Sequence, residues 1–495
     1  MVRYCRRRCP CRRPCRRRRP RLSAAHACSL TPVLFRPSAA ARAGIHAYLA
    51  DAGVDGVKVD AQSGIGPMGD GFGGGPNMVR RQVHAMEASV AEHFEGNRCI
   101  NCMAHSSENL FQYQDTSIIR AADDFYPAEP RSHPVHIAQV AYNSVFLGEI
   151  CHVDWDMFQS HHLDAGIHAA ARAVGGCQIY VSDRPGSHNV ELLKRLVLPD
   201  GSTLVCEQPG RPTRDTLFTD VNSDGVSALK VWNTNAVTGV LAAFNLQGAR
   251  WDRKRRRFAG RDDVPSVTAR LRPADVEGLL ERMGTRCQED ARAAHEGADE
   301  VSEWTEVDGA NELGALVVDE EAPDGCSVSG SGTAVSGLSA LYLHQQRRLV
   351  LVHADGGLEV ELRDREWEVA TVSPVATATS APTHWAPFGL LDMINGGGAI
   401  LASRLVVAFG RPPTAHVQLR GTGLFGAYCL PRPRAVRVDG QPLEFVYDSV
   451  SGLLQVPMVR SANGAELTVE FPGRFRRRFG GARAAGAAEQ RAASA

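Results

Sequence analysis

Several short apolar runs in the first two hundred residues close on carboxylates. DGVKVD ends on Asp60, SIIRAADD on Asp123 and Asp124, HVDWD carries Asp154 and Asp156, and CQIYVSD ends on Asp183. Lys58 stands two residues before Asp60, on the same side of an extended chain, and Arg120 stands four before Asp124. A single aspartate at a strand end is ordinarily a turn former or a helix N-cap. Four such ends close together describe something else, because in parallel α/β architectures the C-terminal strand ends converge on one crevice. Carboxylates interleaved with Lys58 and Arg120 suit a metal ion or a sugar. A metal would bring histidines onto the strands, and His105 is the one close by. Trp155 and Phe158 favour the sugar, since paired acids cleave glycosidic bonds while aromatic faces pack on the ring. No metal or other cofactor is expected.

Alternating elements would position these groups. ARAGIHAYLADAG predicts a helix closed by Gly53, and VDGVKVD a strand. In NMVRRQVHAMEASVAEHF the residues Val79, Val83, Met86 and Val90 recur at helical spacing. CINCMA, SIIRAADDF, ICHVDWDMF and CQIYVSD predict further strands, separated by the helices HIAQVAYNSVFLG and AGIHAAARAVGG. This alternation predicts a parallel α/β sheet or barrel over 41–214. Beyond about 215 the runs LKVWNT, GVLAAFNLQG, RRLVLVHA, SRLVVAFG and ELTVEF are short and alternating, as in an antiparallel sandwich. The expected organisation is a disordered head (1–40), a catalytic part (41–214), a junction (215–283), an acidic Gly/Ser-rich insertion (284–337), a β-sandwich (338–473) and a disordered tail (474–495).

The formal net charge of zero over 495 residues hides an asymmetry. The first 50 residues hold 13 arginines and no acid, so 42 basic side chains face 55 acidic ones in the remainder, a net of −13. The head, MVRYCRRRCPCRRPCRRRRPRL, has nothing apolar to bury and reads as a basic leader or as non-native sequence. Nothing else in the chain supports nucleic-acid binding. Neither a membrane-spanning run nor an apolar secretory signal is evident, which leaves the cytoplasm, or a plastid through the basic leader. Four of the 13 cysteines (Cys5, Cys9, Cys11, Cys15) lie in this arginine-rich stretch, and none shows the paired spacing of a zinc site, so reduced thiols are expected.

The order of motifs resembles a known family. DGVKVD, CMAHSS, RAADDFYP, SVFLGE, DWDMFQSHH, AARAVGG, IYVSDRPG, LPDG, GRPTRD, LKVWNTNAVTGV and FNLQG follow one another as in raffinose synthase and seed imbibition (alkaline α-galactosidase) proteins of glycoside hydrolase family 36. WAPFGLLDMINGGGAI (385–400) and GTGLFGAY (421–428) extend the resemblance towards residue 472. It implies strands four to eight of a (β/α)8 barrel, followed by a C-terminal antiparallel β-sandwich. It also implies a retaining double displacement on α-galactosides, with galactinol, sucrose and raffinose as small-molecule partners. By the family pattern K-x-D, Asp60 is the nucleophile; by R-x-x-x-D, Asp124 is the acid/base, with Asp123 beside it. Lys58 and Arg120 are implied to hold the galactose ring, and Trp155 and Asp156 to line sugar subsites. Crowding by Asp123 and Asp156 would favour a protonated Asp124, as a general acid requires. Asp183 reads as a rim or structural residue. The compact RAADDFYPAEPRSHP sits closer to the seed imbibition branch, so hydrolysis stands beside transfer as an outcome. Because three barrel strands precede K-x-D in the family, the chain as given is expected to be poorly active, or a sugar-binding remnant.

Overall fold

The computed structural model describes residues 39–279, 316–320, 333–378, 382–407, 412–458 and 464–473. The basic head before residue 39, most of the acidic stretch at 284–337 and the tail from 474 lie outside the described residues.

The N-terminal half is built on four short parallel strands, β1 (Val57–Val59), β2 (Cys99–Asn101), β3 (Ile118–Arg120) and β4 (His152–Asp154), paired in that order. Helices α1 (Ala39–Asp51), α2 (Gly75–His93), α3 (Ser107–Leu110), α4 (Ser132–Leu147) and α5 (Ala165–Val174) alternate with them. CQIYVSD, expected as a further strand, forms only one parallel bridge, Val181 to Phe158. Its polar side chains are engaged elsewhere, Gln178 and Tyr180 with Asp154 and Asp183 with Ser160.

Periodicity explains the packing. In α2 the residues Val79, Val83, Met86 and Val90 are buried, and Met86 and Val90 meet Phe94 and Cys99, with Val57 and Val59 of β1 packed alongside. Each such side chain contributes about 1.5–3 kcal/mol on leaving water. Glu87 on the same helix is also buried, and its carboxylate is filled by the backbone N–H groups of Gln114 (3.1 Å), Asp115 (3.1 Å) and Thr116 (2.9 Å) and by the Thr116 hydroxyl (2.8 Å). That clamp fixes the chain entering β3. Helix α5, AGIHAAARAV, is nearly all small or apolar, which lets it lie close against the strands Leu229–Thr234, Gly239–Phe244 and Trp367–Ala378.

Those strands belong to a ten-stranded, antiparallel-paired sheet that also contains Thr383–Leu390, Gly423–Leu430 and Leu453–Met458. A six-stranded sheet contains Ile400–Val407, Thr414–Leu419 and Ala465–Glu470. One buried cluster, including Trp385, Leu405, Val417, Phe425, Leu467 and Phe471, draws on both sheets and joins them through a shared core. The fold is thus mixed α/β with extensive antiparallel sheet. No described helix is long and apolar enough to cross a membrane. Six described cysteines, Cys99, Cys102, Cys151, Cys177, Cys206 and Cys429, are free and buried.

Candidate active site

The ladder register brings the strand-end charges together. Arg120, the last residue of β3, pairs directly with Asp154, the last of β4. Its buried guanidinium reaches across the strand ends: Nη1 lies 2.8 Å from Asp156 Oδ1, Nη2 3.1 Å from Asp124 Oδ1, and Nε 3.9 Å from Asp154 Oδ2. Nη2 also donates to the carbonyls of Ala122 (3.1 Å) and Asp123 (3.0 Å), which curls the 121–124 turn around the arginine. From β1, Lys58 Nζ approaches Asp156 Oδ1 to 3.8 Å with a third of its side chain still exposed.

Asp60 lies just past β1 and is exposed; its Oδ1 accepts the Ala61 N–H at 2.6 Å. That N–H, the Cys102 thiol, Lys58 and Arg120 together outweigh a small burial effect and hold the carboxyl below the usual carboxylate range. Asp60 is therefore ionised at neutral pH, as an attacking carboxylate must be. Ala61, Met103 and Asp156, which follow β1, β2 and β4, all have left-handed backbone, with φ of 58°, 46° and 63°. Non-glycine residues rarely adopt this conformation, and such strain gathers where function requires it. No sequence signal marked these three turns.

Asp154 and Asp156 are fully buried but differ in charge balance. Burial pushes the Asp154 carboxyl up, and Tyr180 and Gln178 donate to its two oxygens at 2.8 and 2.9 Å. Burial also opposes an ionised Asp156, but Arg120 and the backbone N–H groups of Phe125 and Met157 outweigh it and hold the carboxyl below its ordinary value. The Phe125 N–H lies 2.9 Å from Asp156 Oδ2, so this carboxylate ties the loop after β3 to the end of β4. Sequence reasoning missed Tyr180, Gln178 and Cys102. Their signal was position alone, at or just beyond the neighbouring strand ends.

Four expectations are corrected. Asp156, expected to line a sugar subsite, and Arg120, expected to hold the ring, are buried with their polar atoms turned onto each other and onto neighbouring backbone groups. Trp155 is fully buried, and its indole edge faces Gly175 so closely that a Cβ there would lie 2.8 Å from Nε1. It offers no face to a sugar, because the residue after β4 points into the core. Asp124 is 60% exposed, and its charged contact is the Arg120 guanidinium. The like-charge crowding expected around it is not the arrangement seen, because Asp156 is itself drawn onto Arg120. Asp123 is exposed beside it and accepts from the Tyr126 hydroxyl at 3.2 Å. Asp183 accepts from the Ser160 N–H (2.7 Å) and hydroxyl (2.6 Å) and contacts His188 at 3.1 Å, pinning two loops together.

Behind the carboxylates lies a buried polar layer that sequence gave no reason to group. Arg172 of α5 donates to the carbonyls of Trp155 and Asp156 and contacts His168 Nδ1 at 2.8 Å. His168 meets His133 at 2.8 Å, and His136 Nδ1 donates to the Asp123 carbonyl at 2.8 Å, which leaves Nε2 to accept from Arg172 Nη2 at 3.3 Å. Burial holds His133 down to about 3 and His136 down to about 4, and it holds His168 well below its ordinary value. These imidazoles are neutral hydrogen-bonding spacers that position the backbone carrying Asp123, Trp155 and Asp156. His133, His162 and Asp164 come close enough to bind a cation. However, Arg365 Nη1 lies 3.0 Å from both Asp164 oxygens and already neutralises them.

A family profile described as raffinose synthase or seed imbibition protein Sip1 matches residues 34–296 and 287–458. The chain is 40% identical over 411 residues to the probable galactinol–sucrose galactosyltransferase 6 of Arabidopsis thaliana, covering 83% of this chain and 48% of that protein. It is 41% identical over 412 residues to the probable galactinol–sucrose galactosyltransferase 1 of the same plant, with the same coverage. The chain thus spans about half the length of the curated relatives it matches. A solved α-galactosidase from Saccharomyces cerevisiae superposes with a TM-score of 0.36 at 8% identity, covering 66% of this chain and 74% of that one. That is too distant a likeness to argue from.

Proposed function

The chain belongs to the raffinose synthase or seed imbibition protein family, and from that premise we propose that it carries the retaining α-galactosyl chemistry of raffinose-type sugar metabolism. The observation that carries this reading is the single buried guanidinium of Arg120 tying Asp124 and Asp156 together at the ends of parallel strands, with Lys58 and an ionised Asp60 alongside. In this reading the four parallel strands are the fourth to seventh of a (β/α)8-type barrel, and the Phe158–Val181 bridge begins the eighth.

Asp60 attacks the anomeric carbon of an α-galactoside and forms a glycosyl ester, while Asp124 protonates the departing oxygen. Arg120 fixes the Asp124 carboxyl relative to Asp156, Lys58, a third of its side chain exposed, offers a cation to ring hydroxyls, and the buried Asp156 positions Arg120 and the loop after β3. Asp154, held by Tyr180 and Gln178, positions the Arg120 side chain and contacts no substrate. In the second step Asp124 takes the proton of the incoming hydroxyl. Galactinol as donor and sucrose as acceptor follow from the names of the relatives, and water as acceptor gives hydrolysis.

Incubating the chain with galactinol and sucrose tests the reading. Raffinose formation identifies a transferase, and free galactose alone a hydrolase. Asp60→Asn is expected to abolish both products; turnover that survives this substitution refutes the assignment.

A further inference from the structure

Next to the carboxylate cluster stands a feature that the galactosyl chemistry above does not use. The strands Ala249–Asp252 and Arg257–Gly260 form a two-stranded sheet of their own, with Trp251 directly opposite Phe258. Such a hairpin is marginal alone, and it is held by the loop that follows the acid/base position. Arg131 pairs with Asp262 at 3.0 Å, and the Phe258 ring lies 6.3 Å from that of Tyr126. The Tyr126 hydroxyl in turn donates to Asp123, the neighbour of Asp124. Three rings therefore run outward from the acid: Tyr126, 38% exposed, then Phe258, then Trp251, 44% exposed and 5.0 Å edge-on from Phe258.

Between this loop and the hairpin lies a cleft of about 440 Å³ lined by Glu129, Arg131, Gln247, Arg261, Asp262 and Arg365, among others. None of Lys58, Asp60, Arg120, Asp124 or Asp156 lines it, so it is a space separate from the one that would hold the galactosyl ring. None of the three rings lines the cleft, which opens at the base of their hairpin at Gly248 and Ala249; exposed ring surface on Tyr126 and Trp251 beside such a polar cleft is what a neutral sugar requires. Ring faces take its C–H side, and amide, guanidinium and carboxylate groups take its hydroxyls. The basic hairpin tip, Arg253 to Arg257, lies outside the cleft, where Arg131, Arg261 and Arg365 are balanced by Glu129, Asp262 and Asp364, a lining without the net positive charge that an anion would need.

We propose that Tyr126, Phe258, Trp251 and the adjoining cleft form the subsite for the saccharide that accepts the galactosyl group. This inference rests on the galactosyl-transfer reading above. In the step it serves, an acceptor hydroxyl bonds to the anomeric carbon as the ester bond to Asp60 breaks. The bonding pair returns to the Asp60 carboxylate, and the hydroxyl proton passes to Asp124.

The test uses the full chain with galactinol, with and without sucrose, and reads the ratio of raffinose to free galactose. Trp251→Ala is expected to lower that ratio about tenfold, the order of one lost stacking face, and Trp251→Tyr to recover most of it. A second readout needs no turnover: saturation-transfer NMR of sucrose is expected to give a signal with the wild-type chain that Trp251→Ala loses. An unchanged ratio, or equal sucrose signals for the two chains, overturns the subsite. Tighter binding of inorganic sulfate than of sucrose at the same residues overturns the saccharide assignment. Persistent raffinose formation by Asp60→Asn would instead overturn the galactosyl reading and leave the sucrose contact at Trp251 standing.

Discussion

Replacing Arg120 with methionine isolates the interaction on which the site depends. The side chain of Arg120 is 2% exposed, and its closest charged partner, Asp156 at 2.8 Å, is fully buried. Removing one partner of a buried pair leaves an uncompensated charge and costs about 3–5 kcal/mol. The Asp124 contact adds little, because that carboxylate is largely in water and exposed pairs are worth about 0–1 kcal/mol. A loss near 4 kcal/mol corresponds to a drop in apparent melting temperature of about 10 °C, read by circular dichroism. The double variant Arg120→Met/Asp156→Asn should recover at least half of that drop, since the cost lies in the stranded carboxylate. The pH dependence adds a second check. In the wild type, Asp156 titrates below its ordinary 3.8, so its stabilisation is present at neutral pH and is lost only as the pH falls through that depressed value. Without Arg120, burial dominates and the folded value rises above 3.8, so an ionised Asp156 destabilises at neutral pH and protonation relieves it. The gap between variant and wild type should therefore narrow as the pH falls from 7 towards about 4. A drop of less than about 2 °C, or no rescue by Asp156→Asn, would refute this account of the site.

Other perturbations address the surrounding layers. Tyr180→Phe removes a donor to the buried Asp154 and should cost about 1–3 kcal/mol in thermal unfolding; on the proposed galactosyl reading it lowers kcat more than it raises KM, because Tyr180 acts through Arg120. Cys102→Ala deletes a thiol that holds the Asp60 carboxyl down, so the acid limb of kcat/KM should move to higher pH, with Cys102→Ser restoring it. Glu87→Ala leaves three backbone N–H groups without their acceptor and should lose about 3 kcal/mol, with faster amide exchange confined first to residues 114–120. Burial also depresses His133, His136, His168 and His344, so the unfolded chain binds more protons than the folded one below about 6.5. Stability should then fall on acidification from pH 6.5 to 5 by more than about 1.4 kcal/mol per pH unit, the slope of a single proton; a flat profile would mean that these histidines are hydrated.

What could be read from the sequence was whatever is encoded locally. The helical recurrence of Val79, Val83, Met86 and Val90 needs only its own turn of chain, and it marks the face that α2 buries. Lys58 and Asp60 follow from strand alternation, and Arg120 and Asp124 from an i,i+4 spacing that the curled turn preserves. Partners set by the fold were not legible. Arg365 reaches Asp164 across 201 residues, and no periodicity in either segment signals the other. Trp155 shows a local rule misapplied: alternation puts it on the face opposite Asp154 and Asp156, so with both aspartates turned to Arg120 its ring belongs in the core, where it lies. The ring that sequence offers to a substrate is used to seat the backbone, and Arg172, bound to the successive carbonyls of Trp155 and Asp156, holds that seat in place.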